Sequence, residues 1–374
     1  MRFSVSSSSL SNNLMSLSKV INSKNSLAIL ECILFDIRNG QLTMTASDSE
    51  NTMKATMPLD DCDGDAFVAI SSKKLLDAVR ELPEQPLNFQ IDTTNYTVLV
   101  NYQNGQYNFI AENADAYPQA QPISDDATLI TVDAPILADN ITRSLFATMQ
   151  DEMHPAMNGI YFDLTAEGLF IVATDGRKLV RNKNMKVKSE TPSSFILPKK
   201  PASLLKNVLS KDEGDVVIKF DNRSAIISFP GGTLYCRLID GRYPNYNSVI
   251  PKGNPNQAML DRKTLLSALR RVLPFASESS QLIRFHFEMG NLEISSEDLD
   301  YATSAKESIV CDYNGQPLNI GFKGSSFLDM LNNLTSDEVI IELGDPSRAG
   351  VILPATQPDN EEILMLIMPM LLND

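Results

Sequence analysis

Histidine and cysteine are scarce in this chain, and those present form no recognisable site. The four cysteines lie far apart and include no Cys-x-x-Cys pair: Cys32, Cys62, Cys236 and Cys311. This spacing predicts neither a zinc site nor a disulfide framework, so we interpret them as small core residues in a reducing cytoplasm. His154 and His286 have no cysteine or carboxylate at ligand or triad spacing, which favours a structural role over catalysis.

Long apolar runs and phosphate-binding loops are also missing. No segment reaches the roughly 18 apolar residues that span a membrane, and residues 1–12 lack the apolar stretch of a secretory signal. No Gly-x-x-x-x-Gly-Lys loop occurs, and the acidic run at 60–65 fails as a calcium loop because it puts Leu59 at the first ligand position and Ile70 at the twelfth. We therefore expect a cytoplasmic protein with no membrane partner, no cofactor and no metal.

What the chain does contain is one pattern that occurs three times. Its first part is a hairpin of alternating apolar residues, whose turn glycines lie 128 and 122 residues apart: Gly40, Gly168 and Gly290. Its second part is a helix with apolar residues spaced i, i+1, i+4, whose first members lie 129 and 123 residues apart: Leu75, Leu204 and Phe327. Two independent features that keep the same interval indicate a repeat protein.

Each repeat reads as helix, strands, helix, strands, which predicts the α+β class with two helices packed on antiparallel sheets. Turn-forming residues cluster near 117–122 and 244–255, so the predicted domains are residues 1–121, 122–250 and 251–374. Six helices are predicted: residues 10–25, 72–82, 135–149, 199–211, 261–273 and 325–336.

Charge is unevenly divided between these helices and the rest of the chain. The net charge of −15 argues against a nucleic-acid partner, but the predicted helices hold 14 basic and only 5 acidic residues, so they carry +9 and the remainder carries −24. Solvated helix faces commonly carry lysine and arginine, yet that does not explain the near absence of glutamate there. A basic helical face suits a polyanion and does not read its sequence.

Geometry relates this basic face to a ring. If helices about 10 Å wide line a closed hole, six of them leave a lumen of only about 10 Å. Twelve leave a lumen of roughly 28 Å, which admits a DNA duplex. Two chains with three repeats each therefore predict a ring, and two-fold symmetry is the commonest oligomer.

Several strings resemble the bacterial sliding clamps, the beta subunit of the replicative DNA polymerase III. They are Asn-Gly-Ile-Tyr-Phe at 158–162, Ala-Thr-Asp-Gly-Arg-Lys-Leu at 173–179, Asp-Gly-Arg-Tyr-Pro-Asn-Tyr at 240–246 and Met-Pro-Met at 368–370. The resemblance covers the whole chain in order. It implies three DNA-clamp domains and a head-to-tail homodimeric ring of six domains. Such a ring encircles duplex DNA without sequence specificity and tethers the replicative polymerase, giving processivity without catalysis.

The resemblance also implies partners and residue roles. An ATP-dependent clamp loader and other proteins with a clamp-binding motif are the expected partners. The implied partner-peptide pocket comprises Met157, Thr174, Gly176, Lys178, Leu179, Pro244, Val249, Asn332, Ile367, Met368, Pro369 and Met370. The implied DNA-binding residues are Lys24, Lys73, Arg80, Gln150, Lys199 and Lys200. The implied dimer interface brings Pro274 and Phe275 against Tyr107, Phe109 and Ile110 of the other copy.

Other interpretations of these segments are open at this stage. Residues 363–372 also read as a buried final strand, although Pro369 is typical of an edge strand. Asp175 and Asp240 could serve a phosphoester hydrolase, although both resemble turn residues. A scaffold that binds only proteins is a further alternative. The chain departs from the family pattern at Arg177 and Lys178, and at its last four residues, Leu371 to Asp374.

Overall fold

The computed structural model describes residues 1–25, 27–151, 153–209 and 213–372. The chain forms two compact units, and each takes two separate stretches of sequence. The first unit comprises residues 1–138 and 200–238, and the second comprises residues 139–199 and 239–374. The three domain ranges given above stay a prediction.

All six predicted helices are present within the described residues. They are α1 Ser7–Ser18, α2 Ser72–Val79, α3 Ala134–Leu145, α4 Lys199–Leu209, α5 Arg262–Val272 and α6 Gly324–Asn332. Short 3₁₀ helices connect other elements: Ala28–Glu31, Ala114–Ala116, Pro155–Asn158, Tyr246–Ser248 and Leu273–Phe275. Lys211, counted with the fourth predicted helix, lies outside the described residues.

Helix ends differ from the prediction because side chains cap them. α1 begins three residues early, since the Ser6 hydroxyl accepts a hydrogen bond from the Ser9 backbone N–H at 3.2 Å. It ends at Ser18, so Lys24 follows the helix. α5 begins one residue late because Asp261 is its N-cap, accepting from the Thr264 N–H at 2.7 Å.

The strands, numbered in chain order, form three antiparallel sheets. In the first unit they are β1 Arg2–Ser6, β2 Cys32–Arg38, β3 Gln41–Ser47, β4 Asn51–Pro58, β5 Ala66–Ser71, β6 Pro86–Asp92, β7 Thr97–Tyr102, β8 Gly105–Ile110, β9 Glu112–Asn113, β10 Thr128–Asp133, β15 Asp215–Phe220, β16 Ser224–Phe229 and β17 Gly232–Arg237. One sheet has the order β1-β6-β7-β8, and the other has the order β10-β15-β16-β17-β4-β3-β2-β5-β9. The pairing of β17 with β4 joins the second repeat to the first.

The second unit contains one sheet of twelve strands. They are β11 Gly159–Leu164, β12 Leu169–Thr174, β13 Lys178–Asn184, β14 Ser193–Pro198, β18 Asn256–Asp261, β19 Leu282–Glu288, β20 Gly290–Asp298, β21 Thr303–Tyr313, β22 Leu318–Lys323, β23 Glu338–Leu343, β24 Gly350–Pro354 and β25 Glu361–Ile367. Their order is β14-β11-β12-β13-β25-β24-β23-β18-β21-β20-β19-β22. The pairing of β13 with β25 joins the third repeat to the second.

The repeat hairpins and their core match the sequence pattern. The hairpins are β2–β3, β11–β12 and β19–β20, and all three turn glycines have positive φ. In the third repeat the Phe285 ring stacks on Phe327 of α6, with ring centroids 4.8 Å apart, and both rings are fully buried. Burial of such a side chain contributes about 2–3 kcal/mol, so the alternating strand and the helix face stabilise each other.

Candidate partner-binding pocket, basic helices and strand edges

The junction of β13 and β25 places several of the implied pocket residues beside one another. Lys178 lies opposite Ile367 in the antiparallel register, and Leu179 lies opposite Leu366. The Met368 N–H continues the pairing by donating to the Arg177 carbonyl at 2.8 Å. Because Leu179 and Ile367 are buried, they form the floor of this junction while Met368 stands at its surface.

A tight turn precedes β13 and is fixed by its own hydrogen bonds. The Thr174 hydroxyl donates to the Lys178 carbonyl at 2.7 Å and accepts from the Gly176 N–H at 3.1 Å. Gly176 has φ +83°, a conformation that favours glycine. The Asp175 carboxylate accepts from the Lys178 ammonium at 2.6 Å and from the Arg177 N–H at 2.9 Å. Asp175 therefore stabilises a turn. Because these hydrogen bonds already engage its carboxylate, they argue against the hydrolase hypothesis.

The segment after residue 239 packs across the face of the same sheet that carries Phe170 and Leu179. The Tyr243 ring stacks on Tyr161 with centroids 4.6 Å apart and planes 3° apart. The Tyr246 hydroxyl donates to Asp163 at 2.8 Å. Burial, and then this hydrogen bond, raise the pKa of Tyr246, so the phenol stays neutral and keeps donating. The segment is thereby fixed with Val249 exposed.

Val249 and Met368 line one cavity of about 560 Å³, which we call the Met368 cavity. Its other lining residues are Asn247, Ser248, Ile250, Pro251, Lys252, Arg348 and Ala349. Val249 is 53% exposed and Met368 is 41% exposed, so together they give the cavity an apolar surface that suits an apolar ligand. A methionine can also adapt its shape to different ligands.

The remaining implied pocket residues lie at several places. Among the described residues, Val249 and Met368 are the only implied pocket residues that line the Met368 cavity. The Met157 carbonyl accepts from the Met149 N–H at 2.9 Å. Asn332 ends α6 and accepts from Arg270 at 3.0 Å. After Pro369, the Met370 N–H donates to the Gly321 carbonyl at 2.8 Å, which directs the tail along the edge of β22.

The sequence did not single out Arg348 or Ala349, which line the cavity from the segment between β23 and β24. Ala349 is buried in the same apolar cluster as Tyr243 and Tyr246. The only signal was the short polar stretch before β24, which is typical of any turn. Their position depends on the long-range pairing of β24 with β25.

The implied DNA-binding residues differ in how free their charged groups are. Lys24, Lys73 and Gln150 are exposed. Arg80 is the C-cap of α2. Its guanidinium forms ion pairs with the carboxylates of Asp77, at 3.4 Å, and Glu81, at 3.1 Å.

The two lysines that begin α4 are bound by other parts of the protein. The Lys199 ammonium donates to the Met149 carbonyl, and burial lowers the pKa of Lys199. The Lys200 ammonium is bound by three acceptors, the Val20 carbonyl at 2.5 Å, the Asn22 side chain at 2.6 Å and Asp48 at 2.5 Å. An ammonium has three donors, so Lys200 has none left for a phosphate in this arrangement.

The pairing of Lys200 with Asp48 predicts a pH-dependent contribution to stability. Burial alone would raise the pKa of Asp48, but hydrogen bonds from Lys200 and Asn51 outweigh it, so the pKa lies below its ordinary value of 3.8. The stabilisation is therefore complete above pH 3.8 and is lost as the pH falls through the folded-state pKa. Lys200→Met should lower the free energy of unfolding by roughly 1–3 kcal/mol at pH 7, because it leaves the Asp48 carboxylate buried without its cation.

Urea unfolding at pH 7 and at pH 3 measures this effect. Lys206→Met is the matched control, since Lys206 is exposed on the same helix. We expect the loss from Lys200→Met to shrink at pH 3 and the control to change little at either pH. An equal loss in both variants at pH 7 would contradict the assignment.

Two strand edges lie at the implied dimer interface. β8 ends its sheet and pairs only with β7 among the described residues, and its Ile110 is 73% exposed. The centroid of the Tyr107 ring lies 4.8 Å from that of Tyr102 and 6.2 Å from that of Phe109. An unpaired edge with exposed apolar side chains is a template for another strand.

The second edge is β21, which the sequence analysis did not identify. Thr303 to Cys311 pair with β20 on one side, whereas β18 pairs with β21 only at Asp312 and Tyr313 among the described residues. Val310 on this strand is 85% exposed. The 3₁₀ helix with Pro274 and the 40% exposed Phe275 directly follows α5. The strand has polar and apolar residues in alternation, as many surface strands have, so its open edge could not be recognised.

No helix among the described residues is long and apolar enough to cross a membrane. No group of three or more His, Cys, Asp or Glu residues that could hold a metal ion was found in the same part of the chain.

Models of the N-terminal, central and C-terminal domains of the DNA polymerase III beta subunit match residues 1–121, 131–245 and 247–371. The beta sliding clamp of Pseudomonas putida is 26% identical over 366 residues, covering 98% of this chain and 99% of the relative. That of Pseudomonas aeruginosa is 25% identical and covers 99% of this chain and 100% of the relative.

Solved structures have the same fold. The sliding clamp of Pseudomonas aeruginosa bound to griselimycin superimposes with a TM-score of 0.92 at 24% identity, covering 100% of both chains. The DNA polymerase III beta subunit of Thermotoga maritima gives a TM-score of 0.89 at 24% identity, also over 100% of both chains.

Proposed function

The chain belongs to the family of the DNA polymerase III beta subunit, the sliding clamps, and we propose on this premise that two copies close a ring around duplex DNA. The ring tethers the replicative polymerase and other proteins with a clamp-binding motif, and an ATP-dependent loader opens it. The observation that carries this proposal is the match of three successive clamp domains over nearly the whole chain, in the family's order. The chain is a processivity factor and not an enzyme, and it acts in the cytoplasm.

The charge division supports sliding rather than site-specific binding. The predicted helices carry +9 while the remainder carries −24, so positive charge is concentrated where a polyanion can be held. Exposed lysines such as Lys24 and Lys73 attract phosphates without reading bases. Contacts of this kind are screened by salt and exchange rapidly along the duplex. Lys199 and Lys200 add to the positive electrostatic potential of the basic helices, while their ammonium groups donate hydrogen bonds to other parts of the protein.

The two open strand edges support closure of the ring. We assign β8 of one copy to the exposed edge of β21 of the other, with Ile110 and Phe275 in the contact. Antiparallel pairing satisfies the backbone groups of both edges. Each chain has both the β8 edge and the β21 edge. Two copies therefore associate head to tail, and neither edge stays exposed. The domain ranges 1–121, 122–250 and 251–374 are the units that we place around this ring.

The Met368 cavity is the proposed site for partner peptides. It presents Val249 and Met368 to apolar and aromatic anchors, beside the hydrogen-bonded turn at Thr174. One adaptable apolar site suits many partners because each partner needs to supply only a short segment.

Deleting residues 368–374 should abolish stimulation of the polymerase. The deletion removes one wall of the Met368 cavity, whereas β8 and β21 are untouched. We expect wild-type protein, with its loader and polymerase on primed circular DNA, to lengthen the products of each binding event. The truncated protein should give products no longer than those of the polymerase alone while sedimenting as a dimer. Full stimulation by the truncated dimer would refute the pocket assignment.

A further inference from the structure

A second cavity of about 700 Å³ adjoins the Met368 cavity in the same compact unit. We call it the Arg181 cavity. Its lining residues are Asp163, Thr165, Ala166, Glu167, Phe170, Arg181, Lys183, Tyr246, Asn247, Ile250, Lys252 and Glu362. Asn247, Ile250 and Lys252 also line the Met368 cavity, so the two cavities share a wall. A ligand longer than the first cavity therefore reaches the second by crossing this wall.

The sheet register explains how its charged groups come together. Asp163, Phe170, Lys183 and Glu362 are successive cross-strand partners on β11, β12, β13 and β25. Arg181 lies two residues before Lys183 and therefore on the same face of β13. Both cations lie over the Phe170 ring, with the guanidinium carbon 5.8 Å and the ammonium 5.3 Å from its centroid. The aromatic ring orients them towards the cavity.

The carboxylates of this cavity are already engaged. Asp163 accepts from the Tyr246 hydroxyl at 2.8 Å, and Glu362 accepts from Arg181. Glu167 lies 3.5 Å from Lys183 but is 77% exposed, so this ion pair is weak and screened.

The donors, in contrast, are not exhausted. The Nε of Arg181 is buried and donates to no acceptor among the described residues. The Lys252 ammonium is exposed and makes no ion pair with any residue that the structure describes. The unused hydrogen-bonding capacity of the cavity is therefore on the donor side.

We propose that the Arg181 cavity is an acidic-residue subsite for partner peptides, binding a carboxylate next to the apolar anchors held in the Met368 cavity. The proposal rests on the proposed function, because it presupposes that peptides occupy the Met368 cavity. Lys252 at the shared wall and Lys183 attract the carboxylate. Partners whose motif is flanked by aspartate or glutamate bind more tightly than partners with neutral flanks.

Fluorescence anisotropy with synthetic peptides tests the subsite. Each peptide carries two leucines and a phenylalanine, alone or extended at either end by three glutamates or three glutamines. Three extended residues span about 10 Å, enough to cross a wall of single side chains. We expect the glutamate extension at one end to bind about three- to tenfold more tightly than the glutamine extension, with the gain reduced at high salt.

Variants of the intact protein locate the effect. Lys183→Gln should remove most of the gain and leave the affinity for the unextended peptide unchanged, because Lys183 lines the Arg181 cavity and not the Met368 cavity. Lys186→Gln, an exposed lysine outside both cavities, is the matched control and should retain the gain.

The outcomes separate this inference from the proposed function. If the unextended peptide binds but glutamate and glutamine extensions bind alike, the subsite is refuted and the peptide pocket stands. A gain that is undiminished in the Lys183→Gln variant also refutes it. If no peptide binds, the pocket assignment fails, and the subsite fails with it.

Discussion

Ile110→Arg should convert the dimer into monomers and abolish retention on circular DNA. Ile110 is 73% exposed at the end of β8, and the proposed closure buries it against another copy. A charge placed in such a contact loses its water without gaining a partner. We expect the dimer dissociation constant to rise at least about 100-fold, which corresponds to about 2.7 kcal/mol. Analytical ultracentrifugation over a range of protein concentrations measures it.

Leu129→Arg is the matched control for this prediction. Leu129 is 61% exposed on β10, which also ends a sheet, but it lies outside the proposed interface. We expect this variant to dimerise as the wild type does. Ile110→Val should also dimerise, since it keeps an apolar side chain at the contact. Equal dissociation of the Ile110→Arg and Leu129→Arg variants would show that β8 has no special part in assembly.

Arg143→Met should destabilise the second compact unit by about 3–5 kcal/mol. Arg143 lies on α3 above the junction of β13 and β25, and its side chain is only 6% exposed. It donates to Asn182 at 2.9 Å and to Glu361 at 3.2 Å. The Glu361 side chain is 8% exposed, so removing the guanidinium leaves a buried carboxylate that has lost its cation. Removing one partner of a buried ion pair costs more than the pair itself contributes.

The double variant separates charge from packing. Arg143→Met combined with Glu361→Met removes both charges, and we expect it to recover most of the lost stability. Arg348→Met is the control, because its pair with Asp345 at 3.7 Å is exposed and should contribute under about 1 kcal/mol. Urea unfolding reports all of these differences. A single Arg143→Met variant within about 1 kcal/mol of the wild type would contradict this role for the buried pair.

The repeat architecture could be predicted from the sequence because it depends on local periodicity. Leu10, Leu14 and Leu17 define an apolar helix face by spacing alone, and all three are buried. The class of each element follows from such patterns even where its ends do not. The start of α1 at Ser7 depended on a serine cap that apolar spacing does not reveal.

The junctions between repeats could not be predicted in this way. Val180 lies opposite Met365 in the register of β13 and β25, although the two are far apart in sequence. Nothing in either strand alone specifies this partner. The lining of the Met368 cavity depends on this long-range pairing. Family resemblance identified Val249 and Met368, but no sequence pattern identified Arg348.

Long-range contacts also decide whether the charged group of a given lysine is free to bind a ligand. Lys73 and Lys200 look alike in the sequence, since both stand in the first turn of a basic helix. In the structure Lys73 is exposed, whereas the Lys200 ammonium is held by Val20, Asn22 and Asp48. Whether a lysine binds a polyanion or its own protein depends on acceptors that distant segments supply.

Retention on DNA of defined topology tests the central claim most directly. The protein is loaded by its loader onto nicked circular DNA, the free protein is removed, and half of the sample is linearised. A sliding ring should stay bound to the circles and run off the linear molecules, because only the topology holds it there. Equal retention on circular and linear DNA would contradict encirclement.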